Sequence, residues 1–259
     1  MKNKVLIFCT LLLNIYVLNL NSKNLNSDYA NRVNTLIGTK GLGLTSGYCY
    51  PGATYPFGMV QFTPSYFSKR SGFVINQLSG GGCEHMGNFP TFPLKGKLKT
   101  SPDNILNYRI NVTQESGHAG YYKSVVQDET LTELTVTERT GMARYTYSPN
   151  DGYGTIIIGA GIAATTIQQA AIVITAPNKC EGYADGGQFC GITTPFKVYF
   201  AAEFDTDGAE SGIWKNDKLV ANATFAEGEN SGVYFTFDLK NKKQIQYKIG
   251  ISYVSVENA

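Results

Sequence analysis

Two histidines, one tryptophan and five cysteines are all that the 259 residues contain of those types, and charged side chains make up only 16%. Each scarcity excludes something. His85 and His118 are too few for a protein zinc site unless cysteines join them, so no metal-ligating set is identified in this chain. Lys and Arg form no run, and the formal net charge is only +2. A surface that tracks phosphates needs clustered basic side chains, which excludes nucleic acid as a partner. The longest apolar stretch starts at Val5 and is interrupted at Asn14 and Asn19. It falls short of the roughly 20 apolar residues of a membrane-spanning helix. No segment keeps a helical period, which argues against a βαβ layout.

The amino end sets the compartment. Met1-Lys2-Asn3-Lys4 is a basic start, and the apolar run to Leu13 follows it. This is the pattern of a secretory signal peptide, expected over residues 1–22, and it predicts a secreted, periplasmic or extracellular protein. Phe8 stands before Cys9, where a lipid-modified cysteine needs a small residue, so lipid anchoring is not expected. The remaining roughly 235 residues, 23–259, fit one all-β domain.

Glycine (28) and tyrosine (17) are abundant. Such a mix suits twisted sheets with glycine-cut loops, and it suits sugar contact, where neutral donors meet aromatic faces. A tyrosine-rich sandwich without a ligand explains the same figures. Short β-branched and aromatic runs recur at residues 131–147, 155–158, 171–175, 196–204, 232–239 and 244–256, separated by Gly, Pro, Asn and Asp. The last run alternates apolar and polar from Ile245 to Tyr253, which predicts one buried and one wet face. Together these predict a β-sandwich of mostly antiparallel strands.

A competing pattern is Gly159-Ala160-Gly161-Ile162-Ala163-Ala164, the G-x-G-x-x-A form of a dinucleotide-binding turn. That turn needs a helix behind it, and the next strand signal at Ala171 leaves barely two helical turns, so cofactor binding is rejected. In an exported chain Cys49, Cys83, Cys180 and Cys190 are disulfide candidates. Cys180 and Cys190 bracket a glycine-bearing segment able to fold back, and a bridge across about ten residues would contribute roughly 2–3 kcal/mol. Pairing of Cys49 with Cys83 stays open. Asn111-Val112-Thr113 and Asn222-Ala223-Thr224 are sequons that a eukaryotic secretory route would glycosylate.

Two loop-rich segments carry a more specific signal. The first is Val33-Asn34-Thr35-Leu36-Ile37-Gly38-Thr39 followed by residues 51–64, which include Tyr55-Pro56-Phe57-Gly58-Met59. The second is Gly72-Phe73 followed by residues 78–90, Leu-Ser-Gly-Gly-Gly-Cys-Glu-His-Met-Gly-Asn-Phe-Pro. Gly120-Tyr121-Tyr122, residues 133–141, residues 198–204, Gly212-Ile213-Trp214 and residues 250–255 follow in order. Together they resemble the N-terminal domain of glycoside hydrolase family 92, the calcium-dependent exo-acting α-mannosidases.

The resemblance implies a supersandwich of the galactose-mutarotase-like type, with mannose-containing glycans as ligands. In the family an (α/α)6 catalytic domain follows the sandwich, and the active site lies between the two. The general acid, the general base and most of the calcium site belong to the second domain, for which no counterpart is expected in residues 23–259. The chain is therefore expected to carry no catalytic residue, and calcium is a cofactor of the full-length family enzyme rather than one assigned here. Cys83, Glu84, His85 and Asn88 are carried over as carbohydrate-binding residues. Asn76-Gln77 stand where many relatives have Thr-His, and Asn88 where an Asp is common. The alternative is a free-standing lectin-like module or an adhesion domain on the same sandwich.

Overall fold

Short runs of β-branched and aromatic residues between chain breakers produce strands and little else. The computed structural model describes residues 29–39, 49–65, 72–79, 86–102, 112–126, 130–163, 166–185, 194 and 196–259. Two compact units divide the chain, 1–33 and 34–259. The described part of the first is a 3-10 turn at Tyr29–Arg32, where the Arg32 guanidinium lies 5.2 Å from the Tyr29 ring centre.

The second unit holds two sheets, with strands numbered in chain order. Eight strands form one sheet in the order β1 (Ala53–Thr54), β2 (Gln61–Pro64), β3 (Phe73–Val74), β4 (Thr91–Lys95), β9 (Tyr153–Gly159), β16 (Ser231–Asp238), β13 (Glu210–Lys215) and β14 (Lys218–Ala221). Nine form the other, in the order β15 (Phe225–Glu227), β10 (Ala170–Ala176), β11 (Lys179–Asp185), β12 (Lys197–Phe204), β17 (Gln244–Ser252), β8 (Thr140–Thr146), β7 (Thr130–Val136), β6 (Tyr121–Val126) and β5 (Val112–His118). Every neighbouring pair of these strands is antiparallel. The fold is the expected all-β sandwich.

Aromatic side chains knit the sheets together. The Phe204 ring on β12 meets Phe235 and Phe237 on β16 at 4.9 and 5.1 Å between centres, and Tyr247 on β17 at 5.4 Å. The Tyr247 hydroxyl crosses to the other sheet and donates to Thr91 Oγ1 at 2.8 Å. Burying such rings is the main stabilising term of the fold.

The expected alternation holds through β12 and through β17 as far as Ile249, after which Gly250, Ile251 and Ser252 are buried in succession and Tyr253 is exposed. It fails in β16, where Ser231 to Phe237 are all buried. That strand is central, between β9 and β13. The Gly96 amide donates to the Tyr153 carbonyl, and Ser101 Oγ donates to the Asn216 carbonyl at 2.5 Å. Residues 96–101 thus run from β9 to the β13–β14 turn.

Two sequence expectations are corrected. Residues 179–185 are strand β11, not a fold-back loop, and Cys180 is a free, buried thiol facing the core. No bridge from Cys180 is present, and Cys190, its expected partner, lies outside the described residues. The misreading has a cause in Gly182. A Cβ there would sit 2.1 Å from the Ala171 carbonyl oxygen, so this glycine serves a close strand approach rather than a turn. Burial pushes the Cys180 thiol far up, which keeps it protonated and inert. Gly161 has a similar role, its absent Cβ making room for the Gly228 carbonyl, 2.0 Å from where that atom would lie. The rejected dinucleotide turn is therefore a packing contact between loops, and no helix follows it among the described residues.

Candidate functional site

The loop that follows β1 is fixed by its sequence. Pro56 limits one φ, Gly58 donates its amide to the Tyr55 carbonyl at 3.0 Å, and Phe57 between them takes φ +61°. Met59 then donates its amide to the Glu138 carbonyl at 2.7 Å, bracing the turn against the β7–β8 hairpin. The result holds Phe57 fully exposed and Tyr55 half-exposed. A large apolar side chain in left-handed backbone is a costly arrangement, on the order of 1–3 kcal/mol, and such strain gathers at functional sites.

The second segment is anchored from below. Asn76, one residue beyond the short stretch after β3, and Asn88 exchange hydrogen bonds. Asn76 Nδ2 donates to Asn88 Oδ1 at 3.0 Å, and the Asn88 amide donates to Asn76 Oδ1 at 2.8 Å. Asn88 Nδ2 then donates to the Asp185 carbonyl at 3.2 Å, at the end of β11 in the opposite sheet. Its own carbonyl accepts the Ile75 amide at 3.4 Å. Every polar group of Asn88 is thus engaged inside the protein, where unpaired ones would each cost roughly 1–3 kcal/mol.

Around this lock the backbone is strained again. Met86, Gly87 and Phe89 have φ of +51°, +73° and +54°. Phe89 is held there by packing, its buried ring 4.2 Å from that of Phe200. Burial pushes the Tyr253 phenol up, and the neighbouring Asn76 side chain draws it partly back. The Tyr253 ring also meets Phe196 at 5.8 Å. Gln77 is completely buried, and neither its amide nitrogen nor its oxygen has a partner among the described residues.

Of the residues expected to touch sugar, Asn88 is placed at the base of this end of the sandwich, buried. Cys83, Glu84 and His85 lie outside the described residues. Asn76, Gln77, Tyr55, Phe57 and Tyr253, which share these two loop segments or contact them, were not among the residues expected to touch sugar. The departure at Asn76-Gln77 was the one available signal, because a buried asparagine there needs a partner, which Asn88 supplies.

Among the described carboxylates, Glu133 is tied into a hydrogen-bonded set. Glu133 accepts from Arg144 Nε at 2.7 Å and from the Tyr121 hydroxyl at 2.6 Å. The Arg144 hydrogen bond holds its carboxyl below the usual range, the wrong direction for a general acid. Tyr121 is pushed up to about 12, first by burial and then by Glu133. Among the described residues no three His, Cys, Asp or Glu side chains converge to hold a metal, so they do not form a calcium cage. A hollow of about 450 Å³ on the outer face of the nine-stranded sheet is lined by Lys179, Glu203, Lys248 and Ala259, among others, and includes none of the expected sugar-binding residues. Among the described residues no helix is long and apolar enough to cross a membrane.

An antiparallel two-sheet sandwich with one strained, amide-locked, aromatic loop end defines the class of domain. The profile of the glycosyl hydrolase family 92 N-terminal domain matches residues 32–252, and the chain belongs to that family. The solved α-mannosidase BT3965 of Bacteroides thetaiotaomicron is similar with 25% identity and a TM-score of 0.75, over 88% of this chain and 34% of that one. The family 92 glycosyl hydrolase ccman5 aligns at 20% identity and TM-score 0.76, over 89% of this chain and 33% of its own. The inverting mannosidase BT2199 of the same Bacteroides gives 20% and 0.72, over 90% and 32%. The chain thus spans about a third of the length of these solved relatives. No curated protein matches it.

Proposed function

We propose that this domain is the carbohydrate-binding and structural half of an exo-acting α-mannosidase. Its loop end contributes to a mannose site that a helical catalytic domain completes, and the domain by itself does not hydrolyse glycosides. The observation that carries this reading is the family match over residues 32–252. It is supported by a relative of 25% identity that is an α-mannosidase solved in complex with mannoimidazole.

The local chemistry fits such a division of labour. Inverting hydrolysis needs an acid and a base carboxyl about 6.5–9.5 Å apart. Glu133 is tied up by Arg144 and Tyr121. What this end of the sandwich supplies is rigid backbone and exposed aromatic rings, which pack against a polyol rather than cleave it. Cys83, Glu84 and His85 contact the sugar, and Asn88 positions the loop that carries them. Calcium belongs to the catalytic domain's share of the site, where it would order sugar hydroxyls. Residues 1–22 direct export and residues 23–259 form the secreted domain.

The test is to incubate the purified chain with an aryl α-mannoside, with and without calcium. Release of no aryl alcohol in either condition is expected. Hydrolysis above the buffer rate contradicts the assignment.

A further inference from the structure

We propose that Asn222 is a site of N-linked glycosylation and that the glycan shields two exposed sheet edges; this rests on the export reading above, by a eukaryotic secretory route. Asn222-Ala223-Thr224 occupies the turn between β14, an edge strand of the eight-stranded sheet, and β15, an edge strand of the nine-stranded sheet. The backbone is fastened to both sheets. Asn222 donates its amide to the Ser211 carbonyl at 2.9 Å, and the Thr224 carbonyl accepts the Ile174 amide at 2.8 Å. Asn222 adopts φ +61°, a left-handed conformation that asparagine tolerates. Both residues are exposed, and among the described residues neither the Asn222 side-chain amide nor the Thr224 hydroxyl makes a hydrogen bond. The two groups the reaction needs are thus the two that the fold leaves unused.

The co-reactant is an oligosaccharide carried on a polyprenyl diphosphate. The Asn222 amide nitrogen forms a bond to the sugar's C1 while the C1–oxygen bond to phosphate breaks. The polyprenyl diphosphate leaves with the electron pair, and the amide proton passes to a base of the transferase. Attachment at a surface loop of a secreted chain is the ordinary context for this modification.

A second observation points to the same place. Val220 and Phe225, two residues before and three after Asn222, are 45% and 53% exposed, one on each edge strand. Exposed apolar edges template pairing with another chain, and proteins blunt them with charge, proline or cover. A bulky hydrophilic glycan at Asn222 covers both. The other sequon begins at Asn111, outside the described residues.

Peptide mapping by mass spectrometry decides the matter, applied to protein recovered from the medium of the cells that produce it, before and after a peptide N-glycosidase. A glycopeptide that the enzyme converts to aspartate at position 222 is expected, and Asn222→Gln and Thr224→Val should each abolish it. Size-exclusion chromatography should show self-association once the glycan is removed, relieved by Phe225→Ser. Exported protein with its leader removed and an unmodified Asn222 overturns this inference alone. Protein retained in the cells with residues 1–22 intact overturns it together with the export reading. Equal association with and without the glycan refutes the shielding role.

Discussion

The nine-stranded sheet alternates a packed face with a wet one, whereas the centre of the eight-stranded sheet is dry on both. On the wet face cross-strand charges pair, with Glu203 between Lys179 at 3.5 Å and Lys248 at 3.2 Å, and Arg144 against Glu133. The eight-stranded sheet instead begins with the short strands β1 to β3, which are threaded through the segments that carry the family resemblance. One sheet is a regular scaffold and the other gives part of its length to loops. The Asn76–Asn88–Asp185 chain of hydrogen bonds ties the loops of the second to the end of β11 in the first.

Breaking the shared core should have the largest effect. Phe204→Ala removes the ring between both sheets and should cost roughly 3–5 kcal/mol, read as a fall in urea midpoint. Asn88→Ala should follow, because it strands the Asn76 amide and the Asp185 carbonyl at about 1–3 kcal/mol each. Its signature is a split: stability falls moderately while sugar affinity falls steeply. Gly182→Ala drives a Cβ into the β10 backbone and should cost about 1–3 kcal/mol by overpacking, with no effect on the loop end beyond that loss.

The wet face should respond least. Glu133 is held below its ordinary value, so its contribution is complete above the unfolded value of about 4.3 and is lost as pH falls through the folded one. Tyr121, raised to about 12, contributes below the unfolded value of about 10 and loses that contribution as pH climbs toward about 12. Glu133→Gln should flatten the acid limb of a Tm-against-pH curve and reduce the alkaline one. The change at neutral pH should stay under about 1 kcal/mol, because the Arg144 side chain is 43% exposed and the pair is screened by water.

This contrast also explains what was legible in the sequence. Strands with one wet face announce themselves by alternation, as Ile245, Tyr247 and Ile249 do in β17. β16 was found by its aromatic run, but its burial on both faces, from Ser231 to Phe237, follows from its central place between β9 and β13, which no local pattern encodes. β11 was missed because Gly182 looks the same whether it frees a turn or admits a neighbouring backbone. The loop end was legible only as an ordered set of motifs. The partnership of Asn88 with Asp185 joins residues 97 positions apart, and nothing in either neighbourhood encodes it.

The central claim is that this lock positions a sugar-binding loop end. Calorimetric titration of mannose into the purified chain and into Asn88→Ala, both shown to be folded by circular dichroism, tests it most directly. The account predicts saturable binding to the unaltered chain and at least a tenfold weaker response in the variant. Equal affinity in the two, or no binding to the unaltered chain, would contradict it.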